Sequence, residues 1–240
     1  MKVFFHTLGC KVNQYETQEM REQLNKSGYI VTENEDDADV FVINSCTVTS
    51  ESDRKTRQCV RHYKKKHPES TVVLTGCMPQ SFPEMAEKLL EADIVLGNKN
   101  NKLLVSSLNE YFGASCRVLH MEQHESGEPL ISSGITSFEE RTRATLKIED
   151  GCDRFCSYCI IPKARGRIRW KPIDDIKTEV EALANNGYRE IILVGINLSA
   201  YGKGSDLDLA DAISVVNENE KIERIRLGSL EPDHITDELI

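Results

Sequence analysis

Along the first hundred positions the apolar residues fall in short runs separated by longer amphipathic stretches. The runs Val3-Phe4-Phe5, Val40-Phe41-Val42-Ile43, Val72-Val73-Leu74 and Ile94-Val95-Leu96 are rich in β-branched residues, as buried parallel strands are. Between them, the stretch 13–26 reads as a helix stopped by Gly28, and 83–91 as a helix with Met85, Ala86, Leu89 and Leu90 on one face. This alternation predicts an α/β fold of βαβ units on a parallel sheet. Periodicity then fades over 113–141, where Glu, Ser, Gly and His dominate, and a linker is expected. A second α/β run follows. It has strands at 144–149, 190–194 and 224–227, a helix at 174–186 carrying Ile176, Val180, Leu183 and Ala184, and another carrying Leu209, Ala212, Ile213 and Val216. Three strands begin a β/α barrel without closing it, so the chain reads as part of a longer protein or as a short relative. The expected domains are therefore 1–112 and 142–240, joined by 113–141.

Composition narrows the choice. With 240 residues, 39% of them hydrophobic, the chain can fill one large core or two modest ones, which excludes disorder as the default. A formal net charge of -9 argues against coating nucleic acid through overall charge, and DNA is not an expected partner. The start MKVFFHTLGC lacks a basic leader and a cleavage site, and no run approaches the roughly 18 to 20 apolar residues of a membrane span. The expected location is the cytoplasm. In that compartment thiols stay reduced, so eight cysteines point to metal binding or catalysis rather than to disulfides.

Cys152, Cys156 and Cys159 form C-x3-C-x2-C directly after a predicted strand. Three thiolates on one tight loop can hold three irons of a cubane and leave the fourth open to a ligand. A zinc site would need a fourth Cys or His, and the nearest in sequence, Cys116, His120 and His124, lie across the linker. Packing alone is the bland alternative. The motif, with aromatic Tyr158 before its last cysteine, resembles the radical S-adenosylmethionine superfamily. That resemblance implies a 4Fe-4S cluster whose open iron chelates S-adenosylmethionine and whose electron cleaves it to a deoxyadenosyl radical, the cofactor supplying the difficult chemistry.

Cys10, Cys46 and Cys77 each follow a predicted parallel strand, at the sheet edge where ligands bind. Convergence there would make a second cluster; three buried structural cysteines are the alternative. The stretches Leu8-Gly9-Cys10-Lys11-Val12-Asn13-Gln14-Tyr15-Glu16, Asn44-Ser45-Cys46-Thr47-Val48-Thr49 and Thr75-Gly76-Cys77-Met78-Pro79-Gln80 resemble the methylthiotransferase family. The resemblance covers essentially the whole chain. It implies a flavodoxin-like amino-terminal domain whose Cys10, Cys46 and Cys77 bind an auxiliary 4Fe-4S cluster, followed by a partial radical barrel. It also implies methylthiolation in two stages, with one S-adenosylmethionine giving the methyl group and a second the radical. The residues around Cys10 resemble the branch acting on tRNA threonylcarbamoyladenosine next to the anticodon. Ser45 stands where many members carry Thr. Implied partners are the tRNA anticodon stem-loop and a reducing protein such as flavodoxin or ferredoxin. Two other functions stay open: methylthiolation of a ribosomal protein side chain, and an iron-sulfur electron-transfer or scaffold role without radical chemistry. Cys59 and Cys116 receive no role.

Residues just past barrel strands meet ligands at the active face. By resemblance Gly195, Asn197, Ser229 and Glu231, with Tyr158, help bind S-adenosylmethionine; strand termination and helix capping would equally explain them. The stretch 163–171 sets a basic residue at every second position around Trp170, which if extended would aim its charges one way, at RNA phosphate or the cofactor carboxylate. The run of Lys64, Lys65 and Lys66, with Arg54, Lys55, Arg57 and Arg61 before it, reads as helix surface charge.

Overall fold

A computed structural model describes residues 1–138, 142–232 and 235. The chain divides into two compact units, one made of 1–124 with 156–165, the other of 125–155 with 166–240. Each is described separately.

The first unit contains strands β1 (Lys2–Thr7), β2 (Ile30–Thr32), β3 (Val40–Ser45), β4 (Thr71–Gly76), β5 (Ile94–Leu96) and β6 (Val118–His120). Its helices are α1 (Lys11–Lys26), α2 (Ser50–Lys66), α3 (Cys77–Ser81), α4 (Pro83–Glu87), α5 (Leu104–Ala114) and α6 (Ile161–Arg165). The strands form one parallel sheet in the order β2-β1-β3-β4-β5-β6. From β1 the chain steps first to one side and then to the other, so a crevice opens between the carboxyl ends of β1 and β3, the position where sheets of this winding take ligands. Alternation along β3 fixes the two cores. Phe41 and Ile43 pack with Val60, Val72 and Leu74, whereas Val40 and Val42 pack with Met20, Leu24, Val73 and Leu104 on the opposite face. Each of these side chains contributes about 1.5–3 kcal/mol through burial. Helix α2 is capped by Thr49, whose hydroxyl accepts from the Ser52 N–H, and it carries acids in its first turn and three lysines in its last, opposing the helix dipole.

Two expectations need correction here. The helix foreseen over 83–91 ends at Glu87; Ala86 and Leu89 are buried as expected, but Met85 and Leu90 are exposed, because the chain leaves the helix before Leu90 can join the face. The foreseen linker contains β6, which pairs with β5 through Val118 opposite Ile94; three residues were too few for a periodic signal. Residues 139–141 of that segment, and 233, 234 and 236–240 at the end of the barrel segment, lie outside the described residues.

The second unit holds β7 (Ala144–Lys147), β8 (Glu149–Asp150), β9 (Arg169–Trp170), α7 (Ile173–Asn185), β10 (Glu190–Val194), α8 (Leu209–Asn217) and β11 (Arg224–Leu227). Strands β7, β10 and β11 make a parallel sheet with β10 central, as expected for the first strands of a β/α barrel. The strand foreseen over 144–149 splits at Ile148, after which β8 pairs antiparallel with β9. Ile176, Val180, Leu183, Ala212 and Val216 are buried, giving α7 and α8 their apolar faces, and α8 starts in a reciprocal capping box between Asp208 and Asp211. Among the described residues no helix is long and apolar enough to cross a membrane.

The basic stretch does not form one charged stripe. Its members are drawn into separate, mostly buried pairs: Arg165 with Glu16, Arg169 with Glu128 and Asp150, and Lys171 with Glu179. Arg167 lies over the Phe155 ring at 4.5 Å. A buried cation needs a specific partner, and the acids come from distant parts of each unit, which local spacing cannot reveal. The second basic run is mostly surface charge, with Arg54 on Glu51 and Arg61 on Glu91, but Lys64 is half-buried and paired with Asp93 at 2.9 Å.

Candidate functional site

In the first unit the three dispersed cysteines meet. Cys10 caps α1 after β1, Cys46 follows β3, and Cys77 opens α3 after β4, and these three strands are neighbours in the sheet. All three thiols are free; Cys46 and Cys77 are buried and Cys10 is exposed. The backbone before Cys10 requires glycine: Gly9 has φ +106°, and a Cβ on it would fall 2.8 Å from Cys46 Cβ and 3.1 Å from its sulfur.

Asn13, on the first turn of α1, ties the three loops together. Its side-chain amide donates to the carbonyls of Leu8 (2.9 Å) and Ser45 (2.8 Å), which lead into Cys10 and Cys46. The Ser45 hydroxyl donates to Thr75 O (2.6 Å) and accepts from the Met78 N–H (3.1 Å), holding the turn that carries Cys77. Asn13 Oδ1 lies 3.7 Å from the Cys10 sulfur and 4.0 Å from the Cys77 sulfur. The same oxygen accepts from Arg165 at 2.6 Å, and the Arg165 guanidinium forms a two-point buried pair with Glu16. Asn98 completes the surround, donating to Ala164 O (2.5 Å) and reaching the Cys77 sulfur at 3.9 Å. Burial pushes the Cys77 thiol up to about 11, while the Arg165 charge pulls the other way. Among the described residues no three Cys, His, Asp or Glu side chains are gathered tightly enough to clasp a single metal ion. Three free thiols at a ligand-binding sheet edge fit a group that binds thiolates.

The three-cysteine loop divides between the units: Cys152 belongs to the second, and Cys156 and Cys159 to the first. The Cys152 N–H donates to Gly166 O at 3.1 Å, and the Cys159 N–H to Cys156 O at 2.9 Å. Cys156 is exposed, Cys152 and Cys159 are half-buried, and none of the three is in a disulfide. Tyr158 is exposed (91%), and Phe155 adopts φ +48°.

In the second unit the segments after β10 and β11 assemble around Glu149. This carboxylate is fully buried; one oxygen accepts from the Asn197 N–H at 2.7 Å, and the other, Oε1, is buried without a hydrogen-bond partner. Gly195 has no room for a side chain, since its Cβ would fall 2.5 Å from Glu149 Oε2. Burial lifts the Glu149 carboxyl to about 8, against the opposing pull of the Asn197 N–H. Asn197 is buried, and its side-chain nitrogen also lacks a partner. The Ser199 hydroxyl lies 3.4 Å from Asn197 Oδ1 and exchanges bonds with the Glu231 backbone at 3.0 and 3.2 Å. Glu231 and Ser229 are exposed, with Arg154 3.8 Å from the Glu231 carboxylate. Buried polar atoms left unpaired cost about 1–3 kcal/mol each, and two in one place fit a polar ligand that satisfies both.

Thus Cys10, Cys46 and Cys77 are brought together, and Gly195 and Asn197 share Glu149. Sequence reasoning missed Asn13 and Glu16 as supports of the cysteines, Glu149 as the hub after β10, and the true partner of Arg165. Asn13 and Glu16 stand inside the quoted first-cysteine motif, which was the available signal.

Residues 2–97 match the family described as Uncharacterized protein family UPF0004, and residues 146–238 match the radical SAM superfamily. The chain is 38% identical over 239 residues to the threonylcarbamoyladenosine tRNA methylthiotransferase MtaB of Thermotoga maritima, covering 99% of this chain and 54% of that protein. To the protein of the same name from Bacillus subtilis it is 36% identical over 240 residues, with 99% and 53% covered. The chain therefore spans about half the length of the curated relatives it matches. The fold is similar to that of the radical S-adenosylmethionine methyltransferase TsrM from Kitasatospora setae, with a TM-score of 0.63 and 15% identity over 99% of this chain and 56% of that one.

Proposed function

Since the chain belongs to the radical S-adenosylmethionine methylthiotransferase family, we propose that it forms part of an enzyme that methylthiolates threonylcarbamoyladenosine next to the anticodon of tRNA. The observation that carries this reading beyond a generic radical enzyme is the convergence of Cys10, Cys46 and Cys77 around Asn13. Cys152, Cys156 and Cys159 hold the radical 4Fe-4S cluster, and Cys10, Cys46 and Cys77 hold an auxiliary one. When bound, the clusters and S-adenosylmethionine supply the radical and the methylthio group. The chain orients and encloses them. Asn13 and Ser45 tie together the three loops that carry the thiols, and Asn197 and Glu149 offer S-adenosylmethionine two buried polar atoms awaiting partners. Gly195 keeps the backbone close to Glu149, while Ser229, Glu231 and Tyr158 lie at the exposed margin. A tRNA anticodon stem-loop as substrate, a flavodoxin or ferredoxin as reductant, and the cytoplasm as location follow from the same reading.

The test uses the full-length protein with S-adenosylmethionine, a reductant and tRNA bearing threonylcarbamoyladenosine. The unaltered protein should form deoxyadenosine and the 2-methylthio nucleoside. Cys156→Ala should form neither, and the Cys10, Cys46 and Cys77 triple Ala variant should form deoxyadenosine alone. Deoxyadenosine without a modified nucleoside from the unaltered protein would overturn the tRNA assignment.

A further inference from the structure

Arg165 stands six residues past Cys159, at the end of α6, and belongs to the same compact unit as Cys10, Cys46 and Cys77. It is among the largest fully buried side chains of the chain. Its guanidinium forms a two-point pair there with the buried Glu16 carboxylate on α1 and a 2.6 Å bond to Asn13 Oδ1. That oxygen stands 3.7 Å from the Cys10 sulfur and 4.0 Å from the Cys77 sulfur. The pair is neutral overall but has a direction. Its positive end bonds the oxygen that lies beside the Cys10 and Cys77 sulfurs. Arg165, Glu16 and Asn13 are all buried, so this dipole acts at short range with little screening.

We propose that the Arg165–Glu16 pair tunes the auxiliary cluster, presenting the positive end of a buried dipole to Cys10, Cys46 and Cys77 and so raising the cluster's reduction potential. Reduction adds negative charge to the cluster, and a neighbouring positive end favours the reduced form; net charge and local dipoles are established levers on such potentials. Because Arg165 is carried on the segment just after the radical cysteines, the tuning charge for one cluster is delivered by the chain that has just ligated the other. Arg165 is thus a positioning residue for the auxiliary site rather than a contact for RNA phosphate. The inference rests on the two-cluster reading above.

The experiment is a reductive titration followed by electron paramagnetic resonance on anaerobically reconstituted chain with Cys152, Cys156 and Cys159 replaced by Ala, so that only the auxiliary cluster reports. Glu16→Gln, which keeps the cation and removes its counter-charge, should shift the midpoint upward. The Arg165→Gln, Glu16→Gln double variant should shift it downward, and Arg165→Lys should stay closest to the parent. Shifts of opposite sign are the mark of electrostatics, because disruption of the fold would move both variants the same way. Four irons per chain with an unchanged midpoint in both variants, or shifts of one sign, would overturn the inference. Absence of bound iron in the parent variant would instead remove the auxiliary cluster itself, and the tuning role with it.

Discussion

The two polar centres of this protein are built in opposite ways. Around Cys10, Cys46 and Cys77 the supporting groups satisfy one another: the Asn13 amide serves two carbonyls, its oxygen takes Arg165, and Arg165 takes Glu16. Around Gly195 and Asn197, two buried atoms, Glu149 Oε1 and Asn197 Nδ2, stand without partners. In the first arrangement the side chains that bridge the cysteine loops bond to one another and to those loops before anything binds, which favours rigidity. The second keeps two buried polar atoms unpaired, which is what a site for a small polar ligand that comes and goes requires. These are the two demands of the proposed auxiliary cluster, bound for the life of the protein, and of the proposed cosubstrate, consumed at each turnover.

The contrast can be broken by matched substitutions. Asn13→Ala strips the partners from two backbone carbonyls and from Arg165, and should destabilise the chain by about 3–5 kcal/mol, read as a lowered denaturation midpoint in calorimetry. Asn197→Ala removes a donor that has no partner and a 3.4 Å contact to the Ser199 hydroxyl, which keeps its bonds to the Glu231 backbone, so it should change stability by no more than about 1 kcal/mol while weakening S-adenosylmethionine binding in calorimetric titration. Equal destabilisation by both would erase the distinction between a braced and an open site.

A second, smaller effect sharpens it through pH. The Glu149 carboxyl is lifted by burial to about 8 from an ordinary value near 4.5, so between these two values the folded chain holds a proton that the unfolded chain has released. Stability attributable to this group is therefore greatest below about pH 4.5 and is lost as pH rises through about 8. Glu149→Gln cannot ionise, and should be more stable than the unaltered chain at pH 8 by on the order of 2 kcal/mol, with the difference vanishing near pH 5. A stability difference that did not change with pH would contradict the buried, protonated carboxyl.

Local pattern was enough for the strands and for the cysteines that follow them. Apolar runs of three to six residues, each ended by a small or polar residue, located β1, β3, β4 and β5, and Cys10, Cys46 and Cys77 were visible because they come right after such runs. The central strand β10 and helix α7 were legible for the same reason. What stayed hidden depends on partners far away in sequence. Helix α1 buries Asn13, Glu16, Thr17, Glu19 and Glu22 along with its apolar residues, so an amphipathic reading assigns half of its functional face to solvent. Arg165, Arg169 and Lys171 look like a surface stripe until Glu16, Glu128 and Glu179, between 8 and 149 positions away, are folded against them. Glu149 next to Asp150 reads as ordinary strand-end charge; only the closeness of the turn after β10 turns it into a hub.

The central claim is that the chain carries two clusters on two sets of three cysteines. Iron and labile sulfide should be counted in anaerobically reconstituted protein, for the unaltered chain and for the variant with Cys10, Cys46 and Cys77 all replaced by Ala. About eight irons falling to about four is the predicted result; about four in both would contradict it and leave a single-cluster radical enzyme.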